Sequence, residues 1–304
     1  GSIRHLAVDK TGTLTRNQPE VTGVVPADGF DRAQVLSFAA AVEQQSTHPL
    51  AAAIAAAGPE APAAQDISEE AGHGIGGTVE GRRVLVGSPR WIDAGPLKAD
   101  VERMESEGQT CVLVTVDDAL AGAIGVRDEL RPEVPEAVQT LRANDVEVSM
   151  LTGDNTRTAR ALAEIAGIDD VRAELRPEDK ASIVAEFSSK TPTAMIGDGI
   201  NDAPALAGAT VGIAMGATGS DAAIESADVA FTGHDLRLIP KALQHARRGS
   251  RIINQNIVLS LAIIIVLMPL AISGVLGLAA VVLVHEVAEV IVILNGLRAA
   301  QAKR

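Results

Sequence analysis

The sequence predicts an α/β fold: a doubly wound parallel sheet with an inserted α+β domain, followed by a helical hairpin able to cross a membrane. Three observations carry that expectation. Short apolar runs at residues 3–8, 146–151 and 193–196 each stop at a turn rich in Gly, Asp or Thr, and each turn leads into a helical pattern. A long stretch between the first two runs has helical and alternating signals of its own. From residue 257 to 294, about 38 residues hold only three ionisable side chains, His285, Glu286 and Glu289.

The first run ends at Asp9-Lys10-Thr11-Gly12-Thr13-Leu14-Thr15, the second at Thr152-Gly153-Asp154 and the third at Gly197-Asp198-Gly199. Ligands of a doubly wound sheet sit beyond the carboxyl ends of its strands, so these three turns are expected to meet in one crevice. The insertion, residues 17–123, carries an Ala-rich helical pattern over 32–44 and another after Pro49. Alternating stretches at 77–86 and 110–116 read as antiparallel strands, and the Pro/Ala/Gly segment 57–64 reads as a loop. This assigns residues 1–16 and 124–250 to the parallel-sheet domain and 17–123 to the insertion. Residues 251–304 become two membrane helices with a short tail. About 38 residues suffice for two crossings of roughly 18 to 20, with Ser273-Gly274 and Gly277 at the reversal. Arg247, Arg248 and Arg251 precede the hairpin and Arg298, Lys303 and Arg304 follow it, with no Lys or Arg between, so both ends are expected in the cytoplasm.

Composition removes several function classes. The 26 Lys+Arg against 39 Asp+Glu leave a net charge of −13, which excludes nucleic acid as an expected partner because a phosphate-backbone binder needs the opposite sign. A single cysteine, Cys111, excludes a disulfide framework and any zinc site of several thiolates. It is expected as a small buried apolar residue. Aromatic residues are 2% of the chain, too few for a stacking platform, so the core must be aliphatic.

Chemistry is expected where the strands end. A carboxylate at Asp9, followed by a Lys-Thr-Gly turn whose backbone N–H groups can receive phosphate oxygens, can act as a nucleophile toward a phosphoryl group. Asp198 and Asp202, four residues apart across a Gly-containing turn, supply hard oxygen ligands suited to Mg²⁺. Lys180 can bring a point charge to phosphoryl oxygens and Thr152 a hydroxyl donor. Singly, Asp9 and Asp198 are better explained as turn formers and Lys180 as a solvated charge. Their joint order is the signal.

Asp9-Lys10-Thr11-Gly12-Thr13-Leu14-Thr15 resembles the phosphorylation motif of P-type ATPases, cation pumps of the haloacid dehalogenase superfamily that pass through an aspartyl phosphate. The resemblance continues, in the family's order, through Thr152-Gly153-Asp154-Asn155, Pro177-Glu178-Asp179-Lys180 and the run from Gly197 to Leu206, with Asp128 and Arg131 between. It implies a Rossmann-like phosphorylation domain of haloacid dehalogenase type. Its catalytic residues would be Asp9, Lys10, Thr11, Thr152, Asp154 and Lys180, and its Mg²⁺ ligands Asp9, the Thr11 carbonyl, Asp198 and Asp202. Hydrolases of the superfamily carry an acid two residues after the nucleophile, where this chain has Thr11, so the resemblance implies a long-lived phosphoenzyme. The family's Thr-Gly-Glu actuator loop is absent from the sequence. The chain is therefore expected to be the C-terminal part of a longer pump whose other partners are the actuator domain and preceding membrane segments.

Within the insertion, Glu43, Ser46-Thr47-His48-Pro49-Leu50 and Gly72-His73-Gly74-Ile75-Gly76-Gly77 resemble the nucleotide-binding domain of heavy-metal (P1B) pumps. The resemblance implies ATP contacts from Glu43, His48, Gly72 and Gly74. The chain departs from that pattern at Gly87-Ser88, where an Asn commonly follows the Gly, and it lacks the aromatic stacking residue of other P-type classes. In the hairpin, His285, Glu286 and Glu289 fall roughly on one helical face, and ionisable groups at that depth are costly and functional by default. Imidazole and carboxylate suit Zn²⁺, Co²⁺, Fe²⁺ or Ni²⁺ better than Cu(I). His285-Glu286-Val287-Ala288-Glu289, with Asn295-Gly296-Leu297-Arg298 behind it, resembles the last helix of the cobalt/zinc-type subgroup. The Met and paired serines of the Cu(I) pumps are absent. The implied function is ATP-driven export of a divalent transition metal by a multi-pass protein of the plasma membrane, bacterial by its Ala-rich, Lys-poor composition, with its catalytic domains in the cytoplasm. The alternatives are a membrane-tethered phosphatase of the same superfamily, or a fragment that binds nucleotide or metal without catalysis.

Overall fold

The structure is a computed structural model that describes residues 2–300, except 47, 59, 71, 72, 198–201, 217–225 and 234. The chain divides into two compact units, Arg4–Asp235 and the pair of segments Gly1–Ile3 and Leu236–Arg304.

In the larger unit, β1 (His5–Asp9) leads through a tight turn into β2 (Thr15–Pro26). There follow α1 (Arg32–Glu43), α2 (Pro49–Ala57), β3 (Ala64–Glu70), β4 (Gly74–Val79), β5 (Arg82–Gly87), α3 (Lys98–Ser106), β6 (Thr110–Val116) and β7 (Ala119–Leu130). The chain then alternates: α4 (Val134–Ala143), β8 (Glu147–Leu151), α5 (Thr156–Ala166), β9 (Asp170–Arg172), α6 (Pro177–Lys190), β10 (Thr193–Gly197), α7 (Ala203–Gly208), β11 (Val211–Met215) and β12 (Val229–Phe231).

Two sheets result. The first is parallel, in the order β12-β11-β10-β1-β8-β9. Every residue of β1 is buried, as a strand covered on both faces requires, and this is why it reads as a continuous apolar run. The chain moves from β1 to β8 and β9 on one side, then returns through α6 to β10 on the other. The direction of winding therefore reverses beside β1, which places the crevice at its carboxyl end.

The second sheet is antiparallel, in the order β2-β7-β6-β5-β4-β3. Its two faces separate along β6. Val112 and Val114 pack with α1 and α2 through Val35, Val42 and Ile54, while Cys111 and Leu113 pack with α3 through Val101 and Met104. Period-two alternation is the cause, since successive side chains point to opposite faces. Cys111 is buried, as expected. The stretch 77–86 resolves into a β4–β5 hairpin whose two-residue turn, Glu80-Gly81, has both residues at positive φ (50° and 76°).

In the smaller unit, α8 (Leu238–Ile272) and α9 (Leu278–Ala300) form a hairpin about a turn at residues 273–277, where Gly274 takes a φ of 72°. By length and composition both helices could cross a membrane. Their large apolar side chains, among them Val258, Ile265, Met268 and Leu283, are exposed, as a lipid-facing surface would be. An amide cluster ties the two helices together. Asn295 donates to Asn256 Oδ1 (2.8 Å), Asn256 donates to the Val292 carbonyl (3.2 Å), and Arg298 donates to Asn295 Oδ1 (2.8 Å).

Candidate active site

Asp9 is the last residue of β1 and is only 5% exposed. The turn after it, Lys10–Leu14, bends away because Thr11 stays extended (φ −73°, ψ 128°) and Gly12 enters the left-handed region (φ 74°), which a residue with a Cβ adopts only at a cost. Arg131 holds this turn from outside, donating to the carbonyls of Thr13 (3.0 Å) and Gly12 (3.2 Å), while its own N–H bonds the Leu14 carbonyl (2.9 Å). The Asp128 carboxylate accepts from the Thr15 hydroxyl and from the Gln18 N–H (3.0 Å). Asp128 and Arg131 thus fix the turn and the start of β2 through hydrogen bonds to their backbone and to Thr15.

Lys180, in the first turn of α6, donates to Asp9 Oδ1 at 2.5 Å and to Asp202 Oδ1 at 2.9 Å. Burial alone would lower the pKa of this ammonium, but the two carboxylates outweigh it and the pKa is raised, so Lys180 stays charged. Asp202 is 1% exposed and sits at the start of α7. Gly197 makes room for it: a Cβ there would lie 2.5 Å from Asp202 Oδ2. A second ion pair, Lys10 Nζ to Asp154 Oδ2 at 2.5 Å, closes the other side of the crevice. The Thr152 hydroxyl accepts from the Asp154 N–H (3.1 Å), and Asn155 caps α5 by accepting from the Thr158 N–H (2.9 Å).

The structure therefore brings together Asp9, Lys10, Thr152, Asp154, Lys180 and Asp202. Asp198 lies outside the described residues. Three described carboxylates, Asp9, Asp154 and Asp202, face two ammonium groups, Lys10 and Lys180. The Thr13 hydroxyl is buried with no hydrogen-bond partner among the described residues. A net anionic pocket of hard oxygens with an orphaned hydroxyl fits a phosphate group that arrives with a divalent cation.

The sites predicted in the insertion lie around α1, α2 and β4. Glu43 ends α1 and is 7% exposed, and burial, then the Glu69 charge, pushes its pKa up to about 7. His48 caps α2 by accepting from the Leu50 N–H at Nδ1 (3.3 Å). Its pKa is lowered because the atoms crowding the ring desolvate it even though an edge stays exposed, against the upward pull of Glu69 and Asp154. The neutral ring must then carry its proton on Nε2, free to donate outward. Gly74 opens β4 against Val86 and Gly87 of β5. Gly72 lies outside the described residues. Trp91 stands edge-on to His73, with ring centres 5.6 Å apart. No alternation or motif pointed to it, because Trp91 follows β5 in a turn.

In the hairpin, His285 Nε2 and Glu289 Oε1 are 3.2 Å apart, one turn along α9, and Glu286 lies beside them in sequence. Among the described residues no three His, Cys, Asp or Glu side chains gather closely enough to hold a metal ion.

The sequence profile of the haloacid dehalogenase-like hydrolase family matches residues 3–210. The chain is 57% identical over its whole length to a probable cation-transporting ATPase G of Mycobacterium tuberculosis, of which it spans 39%. It is 43% identical over 89% of its length to copper-transporting ATPase 1 of Rhizobium meliloti, spanning 34% of it. Against the crystal structure of a zinc-transporting PIB-type ATPase in the E2.Pi state, 99% of the chain superposes at a TM-score of 0.73 and 40% identity, covering 50% of that protein. The chain thus spans half or less of the pumps it matches. By these likenesses, the chain belongs to the haloacid dehalogenase-like hydrolase family, and its relatives are P1B-type cation-transporting ATPases.

Proposed function

We propose that this chain is the catalytic C-terminal part of an ATP-driven pump for divalent transition metals, phosphorylated on Asp9. The observation that carries the reading is the buried Lys180 ammonium shared by Asp9 and Asp202 at the switch point of the parallel sheet. On this reading residues 1–16 and 124–250 form the phosphorylation domain, 17–123 the nucleotide-binding domain, and 251–304 the last membrane hairpin.

An Asp9 carboxylate oxygen attacks the γ-phosphorus of ATP, a P–O bond forms as the bond to the bridging oxygen breaks, and ADP leaves with that electron pair. Lys180 faces the oxygens on which charge builds, and Lys10, oriented by Asp154, faces them from the other wall. The Thr152 hydroxyl contributes a further donor. Mg²⁺ would be held by Asp9, Asp202, the Thr11 carbonyl and Asp198, where it would neutralise phosphate charge. Thr11 offers no carboxyl to activate water, so the acyl phosphate persists until other parts of the pump act on it. Glu43, the Nε2 proton of His48, and the backbone at Gly72 and Gly74 receive the nucleotide.

His285, Glu286 and Glu289 serve the transported cation, supported by the pairing of imidazole and carboxylate at 3.2 Å. These donors favour Zn²⁺ or Co²⁺ over Cu(I). The pump lies in the plasma membrane with its catalytic domains in the cytoplasm, and it exports the metal.

Acid-quenched labelling of the chain with γ-labelled ATP and Mg²⁺ tests the central claim. We expect a hydroxylamine-labile label that disappears in Asp9→Asn. A label that survives that substitution, or ATP binding with no covalent phosphate at all, would refute it.

A further inference from the structure

One buried carboxylate takes no part in the chemistry above. Glu105 lies on α3, which packs on the second sheet, yet it is only 8% exposed and both of its partners come from the start of α5. Asn155 Nδ2 donates to Glu105 Oε1 at 3.1 Å, and Arg157 Nη1 lies 3.6 Å from Glu105 Oε2. Arg157 also reaches Glu102 Oε1 at 3.2 Å, and the Thr158 hydroxyl donates to the Gln109 carbonyl at 2.7 Å. Arg90, just after β5, donates to the Gly153 carbonyl at 3.5 Å.

A buried carboxylate is costly unless paired and hydrogen-bonded. Burial holds the Glu105 carboxyl above its usual range, and Arg157 offsets this only in part and only while the second sheet and the start of α5 keep this arrangement, so the contact favours one orientation. The apolar side of α3, Val101 and Met104, packs without it. Asn155 links the two ends. Its Oδ1 caps α5 while its Nδ2 holds Glu105. The residue before it, Asp154, pairs with Lys10, the neighbour of Asp9.

We propose that Glu105 is a positioning residue for phosphoryl transfer, acting through Asn155 and Arg157 to set the insertion, with its nucleotide, over Asp9. The inference rests on the reading of Asp9 as phosphoryl acceptor and of the insertion as the nucleotide-binding domain. It deepens that reading, because it names what orients the donor. Misplacement by about 1 Å can slow a transfer by roughly 100-fold, so partial loss of the clasp should cost about tenfold.

The test compares two phosphoryl donors on the full chain in detergent: γ-labelled ATP, which needs the insertion, and labelled acetyl phosphate, which does not. In Glu105→Ala the rate of labelling by ATP should fall about tenfold. Labelling by acetyl phosphate and the ATP dissociation constant, from calorimetry, should stay near wild type. Glu105→Gln, which keeps an oxygen for Asn155, should recover most of the rate. Amide exchange at residues 155–158 should quicken in Glu105→Ala. Unchanged labelling by ATP, or equal losses with both donors, would overturn the inference while leaving Asp9 as the acceptor. Label from neither donor on the wild-type chain would sink the reading of Asp9 and this inference together.

Discussion

Glu43 reports most directly on how the insertion treats charge. It is buried at the end of α1 near Glu69, and its pKa is pushed up to about 7. A raised pKa in the fold means that the folded chain holds the proton more tightly than the unfolded chain. The favourable contribution is complete below the unfolded value of about 4.5 and is lost as pH rises through 7. Glu43→Gln removes that titration. Its stability should match wild type near pH 4 and exceed it at pH 8 by about 3 kcal/mol, the rise from 4.5 to about 7 converted at 1.36 kcal/mol per pH unit. Urea melts of both proteins at the two pH values decide it, and parallel curves would reject the account. The site itself was legible at this scale because Asp9, Thr152, Asp154 and Lys180 each stand at a strand end or a first helical turn, where short motifs mark them. Arg131 entered only through the resemblance, and Glu105 had no signal at all. Arg131 acts on backbone carbonyls and Glu105 on a helix cap, and neither task leaves a spacing in the sequence.

At the scale of elements, what the sequence made plain was whatever one period governs. The buried strands β1, β8 and β10 read as apolar runs because both faces are covered. β3 gave no such signal. It is an edge strand, acidic and exposed along most of its length, as edges that avoid further pairing are. β4 and β5 read as a single stretch because a two-residue turn does not interrupt alternation for long. α3 was missed because only Val101 and Met104 among its side chains are apolar and buried. The membrane hairpin was visible from apolar length, but the polar contacts between its helices were not. Those contacts predict a measurable coupling. Asn295→Ala removes the bonds to Asn256 and Arg298, and polar contacts between membrane helices average about 0.6 kcal/mol with a ceiling near 1.7. Reversible unfolding of the hairpin in mixed detergent should shift by that amount, and no shift would show that lipid-facing packing alone holds α8 to α9.

For the whole molecule, the governing quantity is the length of α8 against the thickness of a bilayer. At 1.5 Å per residue its 35 residues extend about 52 Å, while the hydrocarbon core is about 30 Å thick. The surplus lies at its amino end, where Lys241, His245, Arg247, Arg248 and Arg251 interrupt the apolar surface. Arg298 follows at the other end of the hairpin, and the turn at 273–277 carries no Lys or Arg. On the proposed topology, Ser250 should lie on the cytoplasmic side and Ser273 on the opposite side. The chain offers a clean way to measure it, because its single thiol is unreactive: Cys111 is buried, and burial pushes its pKa up to about 12. Ser250→Cys and Ser273→Cys, made separately, are both exposed positions. In inverted vesicles a membrane-impermeant maleimide should label Ser250→Cys and leave Ser273→Cys untouched, and in right-side-out vesicles the pattern should reverse. Labelling of both positions from one side would mean that α8 and α9 lie along the surface. His285, Glu286 and Glu289 would then sit at an interface, where ionisable groups cost little, and their assignment to the transported metal would lose its physical basis.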